Sequence, residues 1–449
     1  MNKINIVCSS DNKEERVYVF KVLLEELLGV DYSVSFCENH STYDLLFEDK
    51  NLCFNDNFFA LNKSPFSYCT KDNIPEDVIR MRYSVYPEEV IGIYGTTDFI
   101  ENTNKIYCGI DIFASAFFML TRWEEYVIEK KNNLGRVDEF ELLALKHGFF
   151  RNPVVNEYAE LLRAFLNKLG YKIKFSKERF KIKLTHDVDW VYLSTQKELF
   201  FNLKKRIVIK DQFLKSLKIF FNYYHYKIRG INPFDPFDEI MDIADQYNLD
   251  VAFYFKASEL GEQGFTYNIS DERAFNMVQK IETRGYEVGF HPSENTVSND
   301  VQFNEEASRL NCFLKEPMQG GRNHGLFYNN KTFLQWERIG FKYDSGMGFQ
   351  FTNGFRCGIC DNFPVFDIFT RRQLALRELP FVAMDTVVIR QKTTPNNMYR
   401  DVIGLINIVK KYGGNVALNW HTNLVNSIDL KKYKASYFAI LKYIGKYGT

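Results

Sequence analysis

The sequence has no charge of either sign in excess, with 57 Lys and Arg against 57 Asp and Glu and a formal net charge of zero. That balance argues against a whole-protein electrostatic preference for nucleic acid or membrane, and leaves only local patches open. Cysteine pairs are scarce: eight Cys are scattered singly except for Cys357-Gly358-Ile359-Cys360. This spacing occurs in redox and zinc motifs, but with no second pair nearby it reads as chance, and the thiols are expected to stay reduced. No apolar run reaches the length of a membrane span. The apolar run at 4–7 is too brief for a signal peptide, so the cytoplasm is the expected location.

Length and aromatic content are plentiful. The 449 residues exceed the usual single-domain size, and 42 Phe and 27 Tyr supply material for sizeable cores. An amino-terminal α/β domain is expected over 1–175 and a second domain over 176–449. In the first, periodicity predicts strands at 3–8, 32–37 and 90–94 and helices at 14–28, from 111 onward and at 154–169. No cofactor fingerprint stands in it, and Arg122, Glu124 and Glu125 read as a solvated helix face. An insert at 191–232 is rich in Lys, Arg, Phe and Tyr and poor in acids, with Lys204-Lys205-Arg206 ahead of Phe213, Leu217, Phe220 and Phe221. It reads as a helical lid with a basic face, or as a peripheral contact with an anionic lipid surface or charged glycan precursor.

From 235 onward helices and strands alternate, which implies a parallel sheet with crossover connections, and the number of units suggests a barrel. The central stretch is Lys181-Ile182-Lys183-Leu184-Thr185-His186-Asp187-Val188-Asp189-Trp190, a strand with alternating apolar residues that ends in two acids on one face. Two carboxylates that close require a proton or a cation between them, unless they cap a loop or pair with Arg. Other chemistry-bearing residues also follow strands: His291 after 286–290, Asp344 after 341–343, Asp385 after 379–384 and His421 after 415–420, with Arg322 and His324 after a turn at Gly320-Gly321. Parallel strands gather such ends on one rim, so three of the seven histidines meet several acids there. An Asp/His set suits a divalent metal that polarises a carbonyl and activates water.

Thr185-His186-Asp187-Val188-Asp189, Gly289-Phe290-His291-Pro292-Ser293, Gly321-Arg322-Asn323-His324, Tyr343-Asp344-Ser345 and Asn419-Trp420-His421 resemble, in order, the motifs of the polysaccharide deacetylases. The resemblance spans about 180–425 and implies an incomplete (β/α)7-like barrel and a metal-dependent carbohydrate esterase acting on N-acetylated sugars. Gly354-Phe355-Arg356-Cys357-Gly358, Glu378-Leu379-Pro380 with Met384-Asp385, and Thr121-Arg122-Trp123-Glu124-Glu125-Tyr126 look like a bacterial subgroup with an extra amino-terminal domain, typical of surface-polysaccharide gene clusters.

By this resemblance Asp187 is the general base, Arg322 orients it, and His421 protonates the leaving amine. Asp189 and His291 match metal ligands; Asn295 stands where the family places a second histidine, and His324 is offered as the missing nitrogen donor. Zinc is the expected ion, with cobalt or nickel as alternatives. Asp344, Arg356, Trp190 and Trp420 are assigned to the sugar, the tryptophans by stacking, although both also read as core aromatics. Asn295 opens a competing reading, a metal-free glycan-binding or assembly protein, and a hydrolase of a non-sugar amide is a third.

Overall fold

A computed structural model of the chain describes residues 3–131, 136–173, 180–192, 213–258, 267–427 and 430–447. Residues 193–212, including Lys204-Lys205-Arg206 of the basic insert, lie outside the described residues, as does the side chain of Phe213. The fold is mixed α/β and divides into two compact units: Met1–Phe180 with Tyr328–Ala383 and Asn407–Val416, and Lys181–Phe327 with Met384–Ile406 and Ala417–Thr449.

The first unit opens with β1 (Ile4–Ser9) and a helix, Lys13–Phe20, that continues as a widened π-helical segment through Lys21–Leu27. Then come β2 (Tyr32–Cys37), β3 (Thr42–Phe47), β4 (Lys50–Asn55), β5 (Ile79–Tyr83), β6 (Tyr86–Gly92), β7 (Gly95–Glu101) and β8 (Lys105–Ile110). Six of these form a mixed sheet in the order β2-β1-β3-β4-β8-β7, and β5 and β6 form a separate hairpin. The helix Ile112–Thr121 is buried at every position, as its near-continuous apolar sequence requires. Its first turn is capped by Asp111, which accepts from the Ala114 N–H at 2.9 Å.

The predicted solvated face is corrected here. Arg122, Glu124 and Glu125 are all buried. Arg122 takes a left-handed conformation (φ 49°) that ends the helix. Glu125 receives both Arg356 Nε at 3.0 Å and Arg356 Nη2 at 2.6 Å, and Arg122 Nη1 donates to Cys357 Sγ at 3.2 Å. Buried charges persist only when paired in this way, and a helical-wheel reading cannot supply partners from more than 200 residues away along the chain.

The second unit is built on β9 (Lys181–Val188), β10 (Asp250–Phe255), β11 (Glu287–Phe290) and the two-residue β12 (Gly320–Gly321). Neighbours pair in parallel, with Val251 opposite Leu184, Phe253 opposite Val288 and Phe290 opposite Gly321. The crossovers that parallel pairing demands are helices: Phe237–Tyr247 precedes β10, Glu272–Thr283 precedes β11 and Asp300–Asn311 precedes β12. Each turns an apolar stripe inward, for example Phe237, Ile240, Met241 and Ala244. The alternation of β9 holds only at its start. From Leu184 to Val188 every residue is buried, as in a parallel sheet covered on both faces.

The chain next contributes β13 (Tyr343–Asp344), β14 (Phe363–Asp367) and β15 (Arg372–Glu378) to the first unit, with β15 parallel to β13 and antiparallel to β14. After β16 (Phe381–Met384) the helix Asp385–Arg390 belongs to the second unit, and β17 (Asn415–Asn419) takes the place next to β9 on the side away from β10. Among the described residues no helix is long and apolar enough to cross a membrane.

Candidate metal and hydrolytic site

The carboxyl ends of β9, β10, β11, β12 and β17 carry Asp187, Lys256, His291, Arg322 and His421 in turn. Close approach of β12 to β11 sets the site's spacing. A Cβ on Gly321 would lie 1.9 Å from the Phe290 carbonyl oxygen, so only glycine fits. The Arg322 N–H donates to that same carbonyl at 2.9 Å, and the fully buried guanidinium reaches Asp187 Oδ1 at 2.8 Å and Thr185 Oγ1 at 3.0 Å. Asn419 Nδ2 donates to the other oxygen, Asp187 Oδ2, at 2.9 Å. Burial alone would raise the Asp187 pKa, but the Arg322 charge, with His291 and His421, holds it below the usual carboxylate range. Asp187 is therefore an ionised, immobilised carboxylate. His186, one residue back, has a structural place: its Nδ1 donates to the Trp420 carbonyl at 2.7 Å, and burial pushes its pKa down to about 4.

Asp189, His291 and His324 bring one donor atom each to within 4.8 Å of one another. Asp189 Oδ1 lies 3.7 Å from His291 Nε2 and 3.8 Å from His324 Nε2. His291 Nδ1 sits 2.7 Å from the Arg322 carbonyl, which can only accept, so this nitrogen carries the proton and Nε2 presents its lone pair. That Nε2 is buried and, among the described residues, has no hydrogen-bond partner. Glu294 Oε1 stands 3.4 Å from His324 Nδ1, a charge beside the second ring without a hydrogen bond to it. Burial lowers both pKa values, that of His324 to about 3, which keeps both rings neutral as ligation requires. One carboxylate, two neutral imidazoles and an orphaned, inward-aimed ring nitrogen fit a divalent ion of the zinc type.

A family model described as a family of unknown function, DUF7033, matches residues 4–171. Among curated proteins no sequence matches. Among the solved structures similar to this chain, three carry polysaccharide deacetylase in their descriptions and one is described as the allantoinase PuuE, 12% identical with a TM-score of 0.41. The protein from Mycobacterium smegmatis is 15% identical with a TM-score of 0.40, over 60% of this chain and 85% of its own. The Bordetella bronchiseptica protein, described as involved in O-antigen biosynthesis, is 11% identical with a TM-score of 0.32, over 60% of this chain and 81% of its own. That from Pseudomonas aeruginosa PAO1 is 10% identical with a TM-score of 0.41, over 60% and 86%. Likeness of that degree leaves the chemistry to be read from the side chains.

His421 completes the constellation. Its Nδ1 lies 2.8 Å from Asp385 Oδ1 and its backbone N–H donates to Asp385 Oδ2 at 2.7 Å. The free face, Nε2, lies 3.7 Å from Asp187 Oδ2 and 3.9 Å from Asp189 Oδ2. Burial opposes the charged form, but Asp385, then Asp187 and Asp189, raise the pKa to about 10, so the ring is an imidazolium at neutral pH.

The remaining candidates fall elsewhere. Asn295 is exposed on the turn Glu294–Ser298, whereas the donor beside Asp189 and His291 is His324. Trp420 stacks on Tyr437 with centroids 4.3 Å apart, and Trp190 stacks on Phe234 at 5.6 Å, so each ring already has an aromatic neighbour. Asp344 and Arg356 belong to the first unit; Asp344 is buried and accepts from the Gly346 N–H at 3.1 Å, and Arg356 is committed to Glu125. Sequence reading missed Lys256 and Glu294, and named Asn419 and Asp385 without giving either a role. Lys256 follows β10 directly, so the rule that located the other residues, to look just past each strand, would have found it.

Proposed function

We propose that the second unit is an incomplete (β/α)-barrel hydrolase, metal-dependent, that removes an acetyl group from an N-acetylated sugar of bacterial surface-polysaccharide metabolism. The observation that carries this reading is the adjacency of three groups with distinct tasks: the Asp189, His291 and His324 donors, the Arg322-held Asp187 carboxylate and the Asp385-held His421 imidazolium. An ion bound by the three donors supplies Lewis acidity toward the acetyl carbonyl and acidifies the nucleophilic water. Asp187 accepts the proton of the attacking water, and its fixed position removes the cost of orienting it during the reaction. His421 delivers its Nε2 proton to the departing amine, so water is split between acetate and amine with no other reactant. Arg322 keeps Asp187 ionised, and Asp385 keeps His421 charged and its Nε2 turned to the site.

One observation favours a second reading, a metal-free glycan-binding module: Lys256 Nζ lies 2.7 Å from Asp189 Oδ1, where it already neutralises the carboxylate. Acetate release from N-acetylated aminosugar oligomers separates the two. The hydrolase reading expects release by the wild type and a loss of roughly 10²–10⁴-fold in Asp187→Asn, in a chain that stays folded by circular dichroism although the loss of Arg322's buried partner lowers its melting temperature. Wild-type rates in Asp187→Asn would refute the assignment.

A further inference from the structure

Lys256 is an unusual neighbour for a metal ligand. Its side chain is only 3% exposed, and its Nζ contacts Asp189 Oδ1, the oxygen that also faces His291 Nε2 and His324 Nε2. It is not there by drift of a surface chain. The Lys256 N–H donates to Tyr267 Oη at 2.8 Å, and Tyr267 in turn donates to the Val188 carbonyl at 2.9 Å, which ties the end of β10 to the end of β9 just ahead of Asp189. The ammonium and a divalent ion would therefore draw on the same carboxylate oxygen. Two cations sharing one oxygen in a half-buried setting repel each other, and each weakens the hold on the other.

We infer that Lys256 is a resident counter-ion of Asp189 that competes with the divalent metal, so that loading the site is an exchange in which the ammonium gives up Asp189 Oδ1 as the metal takes it. The inference rests on the reading that Asp189, His291 and His324 hold the metal. In the unloaded protein Lys256 satisfies a carboxylate that would otherwise stand against the ionised Asp187, which preserves the site without an ion. The same contact lowers metal affinity, and loading depends on the free metal concentration over a range that a site without this rival would have saturated.

The test is a cobalt(II) titration of the full chain, followed by visible absorption, for wild type, Lys256→Met, Lys256→Gln and Lys256→Arg, with far-ultraviolet circular dichroism as the check on folding. The exchange predicts that Met and Gln at 256 bind cobalt at least about tenfold more tightly than wild type, while Arg, which keeps the charge, binds no more tightly. A merely structural lysine would give the opposite sign, because its loss loosens the ligand set. Tighter binding in Lys256→Met or Lys256→Gln beside a wild type that takes no cobalt supports the exchange and removes the metal hydrolase reading from the wild type. Equal or weaker binding in folded Met and Gln variants overturns the exchange and leaves that reading intact. No binding by any of the four proteins overturns both.

Discussion

Replacing Asp385 by Asn removes one negative charge from His421 and keeps the side chain's shape. In the wild type the ring's Nδ1 is 2.8 Å from Asp385 Oδ1, and although burial works against the imidazolium, Asp385 with Asp187 and Asp189 lifts its pKa from 6.5 to about 10. If His421 is the proton donor, wild-type acetate release should persist through neutral pH and fall on the alkaline side, because Asp385 raises the pKa of the ring. A carboxylate in hydrogen-bond contact shifts a pKa by about 1–3 units, so Asp385→Asn should move that alkaline limb down by about 1–3 units. Stability moves with it. A group whose folded pKa is raised stabilises fully below its unfolded pKa and loses that contribution as pH climbs through the folded value. At about 1.4 kcal/mol per unit, Asp385→Asn should cost about 1.4–4 kcal/mol at pH 6. The deficit should shrink as pH rises through the wild-type pKa of about 10. Rate profiles from pH 5 to 11 and urea unfolding at both ends measure this; an alkaline limb that stays put or moves upward would refute the role given to His421.

Two further substitutions probe the site's construction. Asn295→Ala should leave metal affinity within about twofold, since this side chain is exposed on its turn, whereas His324→Ala should weaken it by at least about tenfold, as read by competition with a chromophoric chelator. Gly321→Ala puts a Cβ 1.9 Å from the Phe290 carbonyl, and urea unfolding should report a loss of about 1–3 kcal/mol together with reduced activity as Arg322 is displaced from Asp187.

Much of the second unit was legible because its signals are local. The strand predicted at 286–290 is Glu287–Phe290, the strand predicted at 415–420 is Asn415–Asn419, and His291 and His421 just past them reach the same site as parallel pairing requires. Gly320-Gly321, read as a turn, is a short strand; side-chain patterns say nothing where there are no side chains. In the first unit the strands at 3–8 and 32–37 were found, but β3 with β4, and β14 with β15, were not. These antiparallel hairpins have mixed, partly charged faces, such as Arg372, Arg377 and Glu378 on β15, whose partners come from distant sequence. The pairing of Arg356 with Glu125 bridges 231 residues and turns an apparently solvated helix into a buried one, which no local window can register. In the site, Asp187, Asp189, Arg322 and His421 were legible as residue types past strands. The attachments of His421 to Asp385 and of Lys256 to Asp189 were not, because both depend on which strand ends become neighbours in space.

The proposed hydrolase depends on a metal centre at Asp189, His291 and His324, whose donor atoms lie within 4.8 Å of one another. The measurement that tests it most directly is the metal content of the purified full chain, by elemental analysis after dialysis against low free zinc, for wild type, Asp189→Ala, His291→Ala and His324→Ala. A metal centre at these residues gives about one divalent ion per wild-type chain and its loss in each variant, with the fold retained. A wild type that stays metal-free when offered zinc, cobalt or nickel, or variants that keep the ion, would contradict it.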